Sequence, residues 1–162
     1  MVDDEITIAN AHDIGFDDFA GLHQLLVKAF AFMDERIDPP SSMHKLTPEG
    51  LHDKAGNEWL ILALQGTALV GCLFARPEYG AVYIGKIAVR SEARGNGTGA
   101  KLLGRAQEIA VEKGYSALEL EVRVELTENQ CFFEKHGFIK SGENAHEGYT
   151  RPTSFLYSKQ IS

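Results

Sequence analysis

Glycine stands at every second position of Gly95-Asn96-Gly97-Thr98-Gly99, directly after Arg94, between an apolar run that ends at Val89 and an amphipathic run that starts near Ala100. That succession of strand, glycine loop and helix limits what the chain can become. Glycines let backbone N–H groups approach a ligand without interference from Cβ, the first donors of the helix lack intrahelical partners, and the helix dipole favours negative charge there. Arg94 adds charge-assisted hydrogen bonds. The pattern therefore predicts an anion cradle over residues 94–99, against the plainer reading of a flexible surface turn. Two nucleotide-binding readings fit less well. Gly95-x-Gly97-x-x-Ala100 matches a dinucleotide fingerprint, and Glu119 and Glu121 lie about 20 residues further on, where its acidic residue belongs. However, five residues separate Val89 from Gly95, and the preceding runs read as a hairpin meander rather than a βαβ unit. A nucleoside-triphosphate loop fails because no lysine followed by serine or threonine closes the glycines.

The rest of the chain supplies the elements around this loop. Phe19, Leu22, Leu25, Leu26, Ala29 and Phe30 fall on one stripe and predict a helix over 17–32, with Asp17 and Asp18 at its positive end. A short strand at Ile6-Thr7-Ile8 precedes it. Thr47 reads as an N-cap with Pro48 at the first helical position, opening a helix that ends near Gly56. The runs 59–64 and 69–75 form a hairpin through Gly66, and 83–89 forms the next strand, in which Gly85 predicts a bulge. Leu102, Leu103, Ala106, Ile109 and Ala110 share one face of a helix over 100–113 that ends at Gly114. Leu118, Leu120, Val122 and Val124 alternate with Glu119, Glu121 and Arg123, the pattern of a strand with one charged face, parallel to 83–89. Thr127-Glu128-Asn129-Gln130 reads as a capping box for a helix that stops at Gly137, and Phe138 and 153–157 provide final strands.

With 162 residues the chain has the length of one domain, 1–162, able to bury a core without disulfides. No run reaches the length of a membrane span, and the acidic start Met1-Val2-Asp3-Asp4-Glu5 lacks the character of a signal peptide, so a cytoplasmic protein without a membrane partner is expected. The net charge of −7 argues against a nucleic-acid partner and weakly favours positively charged small molecules. Cys72 and Cys131 read as buried thiols, and the histidines show no ligand spacing, so no metal site is expected.

Arg94, Gly97 and Gly99 resemble the pyrophosphate loop of the GCN5-related N-acetyltransferase family, which reads Arg or Gln, x, x, Gly, x, Gly or Ala. Ile87-Ala88-Val89 is similar to that family's fourth strand, and Phe133-Glu134-Lys135-His136-Gly137-Phe138 to its second signature. The resemblance covers about 59–138 and implies an α/β (α+β) chain with the acyl-CoA N-acyltransferase fold: a mixed, mostly antiparallel sheet with helices on both faces. It implies acetyl-CoA as cosubstrate and an amine acceptor, small molecule or peptide, attacking directly. Backbone groups of Ile87, Ala88 and Val89 would pair with the pantetheine arm, and Arg94, Gly95, Asn96, Gly97, Thr98 and Gly99 would hold the pyrophosphate. Asn129 would point a side chain at the same arm, or else serve its own helix N-terminus, and Phe133 would border the cofactor. Dimers are common in that family, and 155–157 could form a shared edge.

The match departs from the family pattern at two positions. Gly85 occupies a position where some relatives carry a glutamate base, and Phe133 stands where many have a tyrosine acid. Glu121 is the substitute base of choice, ahead of Glu119, although both also read as ordinary solvated strand residues. Tyr83, Tyr149 or Tyr157 could replace the acid. Arg36, Asp38, Ser41, Ser42 and His44 are candidates for selecting the acceptor, with the alternative that Arg36 and Asp38 simply pair with each other. The competing class is a regulatory domain that binds an acyl-CoA without turnover.

Overall fold

The computed structural model describes residues 5–40 and 45–161, apart from the side chains of Phe32 and Asp34. Ser41, Ser42 and His44 therefore lie outside the described residues. The elements are β1 (Ile6–Asn10), α1 (Phe19–Asp34), α2 (Pro48–Asn57), β2 (Trp59–Gln65), β3 (Ala68–Glu78), β4 (Ala81–Val89), α3 (Thr98–Glu112), β5 (Ala117–Arg123), α4 (Thr127–Lys135), β6 (Ile139–Asn144) and β7 (Ser154–Gln160). The strands form a single sheet in the order β1-β2-β3-β4-β5-β7-β6. Only the central β4–β5 pair is parallel; the other ladders are antiparallel.

Helix starts follow local side-chain chemistry. Asp18 accepts the Gly21 N–H at 3.0 Å and caps α1, so the helix opens at Phe19 rather than at Asp17. Thr47 caps α2 through the Gly50 N–H, also at 3.0 Å, with Pro48 at the first position as its fixed φ favours. In α3 the cap is Gly97, at φ 74°, which makes Thr98 and Gly99 part of the first turn, so the loop and the helix overlap. The capping box expected at Thr127 does not form. Leu126 is the N-cap residue, Thr127 is already helical, and the Gln130 amide donates instead to the carbonyls of Arg123 and Val124, both at 3.1 Å.

The sheet separates two apolar layers. Leu22, Leu25, Leu26 and Leu51 of α1 and α2 pack on Leu60, Leu62, Cys72, Phe74 and Ala88. On the opposite face Leu102, Leu103, Ala106, Ile109 and Ala110 of α3 meet Ile61, Ala63, Leu73 and Ala75. Leu102 is fully buried beneath the glycine loop's helix. Leu102→Ala is expected to lower the unfolding free energy by about 2–5 kcal/mol in urea titration, the ordinary cost of a core cavity. A loss below about 1 kcal/mol would mean that α3 settles onto the gap.

Two further expectations are corrected here. Cys131 is exposed on α4, because the buried face of that short helix is taken by Phe133, whereas Cys72 is buried and its thiol is pushed up to about 12 by burial. The 155–157 run lies in β7, which is flanked by β5 and β6 and so is not an edge; β1 and β6 are the edges. Among the described residues no helix is long and apolar enough to cross a membrane, and no group of three or more His, Cys, Asp or Glu is placed to hold a metal ion.

Candidate active site

The parallel pair at the centre of the sheet is short. Val82, Tyr83 and Ile84 of β4 pair with Leu118, Glu119 and Leu120 of β5, and the ladder then stops. Beyond that point β4 pairs only with β3, as far as Val89 opposite Gly71, and β5 only with β7, as far as Arg123 opposite Ser154. The bulge expected at Gly85 is present: the register passes from Phe74↔Lys86 to Ala75↔Ile84 and leaves Gly85 without a partner position. The extra residue changes the phase of the strand. Val82 and Ile84 face α3, and after the bulge so do Ile87 and Val89, while Lys86 turns to the face of α1. A strand edge of backbone donors and acceptors along Ile87, Ala88 and Val89 is thereby left towards the gap.

A cavity of about 610 Å³ follows this edge to the start of α3. Its walls include Ile87, Ala88, Val89, Arg94, Gly95, Gly97, Thr98, Gly99, Asn129 and Phe133. Of the residues the sequence nominates for the cofactor, Asn96 alone is not on the lining; it is exposed. Gly95 and Gly97 have φ of 85° and 74°, a left-handed region costly for other residues. The first intrahelical bond of α3 runs from the Lys101 N–H to the Gly97 carbonyl at 3.0 Å, so the amides of Thr98, Gly99 and Ala100 precede the ladder. The Thr98 hydroxyl is buried and donates to the Ala93 carbonyl at 3.2 Å, tying the loop back on itself. The Arg94 Nε–H donates to the Val89 carbonyl at 3.4 Å.

A second cleft, about 740 Å³, opens on the α1 side of the gap and shares Phe30, Met33, Ile87, Asn129 and Phe133 with the first. Glu121 lines it, exposed, with Oε1 accepting from the Asn144 amide at 3.3 Å. Glu119 is not on its lining. Of the three tyrosines proposed to replace the acid, Tyr83 lines the cleft, and its hydroxyl is pushed up to about 12 by burial and then by the Glu121 charge. Tyr157 donates to Glu134 at 2.7 Å on the far side of the sheet, and Tyr149 donates to Asp38. Asn129 has no capping role in α4 and stands where the two cavities meet. Phe133 is buried at the same junction, edge-on to Phe132 and Phe138.

Arg36 and Asp38 do not pair with each other. Arg36 forms a two-pronged pair with Glu128, at 2.6 and 2.8 Å, and Asp38 accepts from Tyr149 and from Arg151 at 3.3 Å. These contacts fasten the segment after α1 to the start of α4 and to the β6–β7 connection. Hydrogen bonding by Arg36 holds the Glu128 carboxyl down at about 2, below its ordinary 4.5. The contact therefore contributes fully above pH 4.5 and is lost as pH falls through about 2. The pair is exposed and its contribution small. Amide exchange at Arg36, Ile37 and Asp38, corrected for intrinsic pH dependence, is expected to stay constant from pH 7 to 5 and to rise only towards pH 2; a rise already at pH 5 would contradict the pairing.

Sequence reasoning passed over Lys45, Lys86, Arg123 and His146, all of which line the second cleft. Lys86 is placed there by the bulge, which no periodicity reveals. Arg123 was legible, since strand alternation puts it on the face of Glu121.

A split parallel pair beside a glycine cradle, with helices on both faces of a mostly antiparallel sheet, defines the acyl-CoA N-acyltransferase fold. The chain belongs to the acetyltransferase (GNAT) family, whose sequence profile matches residues 19–138. Members of this family use acetyl-CoA as cosubstrate. No curated protein matches the chain. Among solved structures it is similar to a PaiA N-acetyltransferase from Thermoplasma acidophilum in complex with coenzyme A, at 15% identity over 96% of this chain and 99% of that one, with a TM-score of 0.80. It is also similar to a GNAT family acetyltransferase from Elizabethkingia anophelis with acetyl-CoA bound, at 22% identity over 98% and 99%, TM-score 0.70. An IAA acetyltransferase from Bacillus cereus shares 20% identity over 97% and 100%, TM-score 0.68.

Proposed function

We propose that the chain is a single N-acetyltransferase domain, 1–162, that binds acetyl-CoA along β4 and passes its acetyl group directly to an amine held in the second cleft. The observation that carries this reading is the junction of two cavities at the point where β4 and β5 part. The first cavity suits the cofactor: a cradle of backbone donors at one end, a strand edge with no partner strand along its length, and an apolar junction at Phe133 and Met33. The coenzyme A and acetyl-CoA of the Thermoplasma and Elizabethkingia structures are in keeping with that assignment.

When bound, acetyl-CoA supplies an activated thioester. The chain's residues do the rest. Amides of the 95–100 segment and Arg94 bind the pyrophosphate; Ile87, Ala88 and Val89 orient the pantetheine arm by strand-like hydrogen bonds, with Asn129 as a further donor. An amine of lysine type has a pKa of about 10.4 and must lose a proton before it attacks. Glu121, directly or through water, accepts that proton as general base. Tyr83 is neutral at physiological pH and is the tyrosine among the described lining residues of the cleft that can return a proton.

The other reading, a regulatory domain that holds an acyl-CoA without turnover, draws on Phe133, which brings no hydroxyl to the junction. A thiol with a pKa of about 8.5 leaves acceptably without an acid, so the missing hydroxyl slows transfer rather than preventing it. Incubation with acetyl-CoA and a panel of amines, followed by mass spectrometry for an acetylated amine and a colorimetric assay for free thiol, separates the two. Product and thiol in equal amounts are expected; acetyl-CoA bound and recovered intact with every amine would favour the regulatory reading.

A further inference from the structure

Although the chain carries a net charge of −7, the described charged residues lining the second cleft are mostly basic. Lys45, Lys86 and Arg123 face it, with Glu121 as the one carboxylate among the described lining residues. Arg123 follows Glu121 by two positions on β5, so both project from the same face of the sheet, and the bulge brings Lys86 to that face across the gap. The Arg123 guanidinium is fixed by one N–H, Nη2, which donates to the Pro40 carbonyl at 3.3 Å. Its Nη1 is buried with no hydrogen-bond partner among the described residues. Two other carboxylates lie within electrostatic reach: Asp38 pairs with Arg151 at 3.3 Å, and Glu125 has its Oε2 accepting from the Asp38 N–H at 3.3 Å and 3.9 Å from Arg151, while its Oε1 is buried and, like Arg123 Nη1, makes no hydrogen bond among the described residues. A buried guanidinium donor left open is costly, and its planar fork is shaped for a carboxylate or phosphate. Lys86 is half-buried, and the charges nearest it are Lys54 and the Glu58 carboxylate that pairs with Lys54 at 2.7 Å.

We infer that the acceptor amine carries an anionic group, a carboxylate or phosphate, which Arg123 binds while the amine faces Glu121. This rests on the acetyltransferase reading and narrows its substrate class. A polyamine or a lysine-rich peptide would bring further positive charge to a site already lined by cations, so such acceptors are disfavoured.

The test uses paired probes in a thiol-release assay with acetyl-CoA: alanine against alaninamide, phosphoethanolamine against ethanolamine, and spermidine as a cationic amine. The anionic member of at least one pair is expected to show a kcat/KM about tenfold or more above its neutral partner, as one charge-assisted hydrogen bond implies; which pair responds identifies carboxylate or phosphate. Arg123→Gln should shrink that ratio towards one, mainly by raising KM for the anionic probe, while Arg123→Lys retains part of it and both variants bind acetyl-CoA as the wild type does. Equal use of both members, a preference for spermidine, or an unchanged ratio in Arg123→Gln would overturn the inference. Failure of the wild type to bind acetyl-CoA in a separate calorimetric titration would overturn the reading beneath it, and the inference with it.

Discussion

Gly97→Glu is expected to weaken acetyl-CoA binding by on the order of a hundredfold or more, while leaving a folded protein. Gly97 caps α3 at φ 74° on the lining of the cofactor cavity, and a Cβ added there meets nothing within 4 Å, so the new side chain has open space and does not disturb the core. Holding a residue other than glycine in this conformation costs about 1–2 kcal/mol, which a domain of this size can tolerate. The larger effect is electrostatic: a carboxylate roughly 4 Å from a phosphate, at an effective dielectric constant near 20, opposes it by about 4 kcal/mol. Gly97→Ala separates the contributions, because it brings the backbone strain without the charge. Calorimetry should show Gly97→Ala binding with a modest loss and Gly97→Glu with almost none. Equal affinities for Gly97→Glu and wild type would place the pyrophosphate elsewhere.

Glu121→Gln is expected to reduce kcat by about 10²- to 10⁴-fold with the best amine found, the usual worth of a positioned base, with acetyl-CoA affinity unchanged. The substitution keeps the shape of the side chain and its contact with Asn144, which can turn its amide to suit. The reduction should ease as pH rises towards the amine's own pKa, because an amine already neutral needs no base. A kcat within about twofold of wild type would return Glu121 to the status of a solvated strand residue and leave a water chain to take the proton.

Much of this architecture is written locally in the sequence. Thr47-Pro48 marks a helix start through a hydroxyl and a fixed φ, and the α3 stripe from Leu102 to Ala110 is a periodic pattern that tertiary contacts have only to accept. The cradle was equally legible, since glycines in front of an amphipathic helix need no distant partner to point donors outward. Features decided by distant contacts were not. Gln130 turns its amide to the end of β5 and undoes a capping box that three neighbouring residues suggested. Arg36 finds Glu128, 92 positions away, rather than the nearby Asp38, because the fold brings α4 beneath the segment that follows α1. The basic lining of the second cleft was hidden in the same way: Lys86 reaches it through one inserted residue, and the overall negative charge pointed in the opposite direction.

The central claim, that acetyl-CoA lies along β4 with its pyrophosphate on the α3 terminus, is tested most directly by backbone amide NMR during titration with coenzyme A. The account predicts the largest shift changes at Gly95, Gly97, Thr98 and Gly99, together with slowed exchange at amides between Ile87 and Val89 as the open edge of β4 gains a partner. Shifts confined to other parts of the chain, with no change at the glycine loop or along β4, would contradict it.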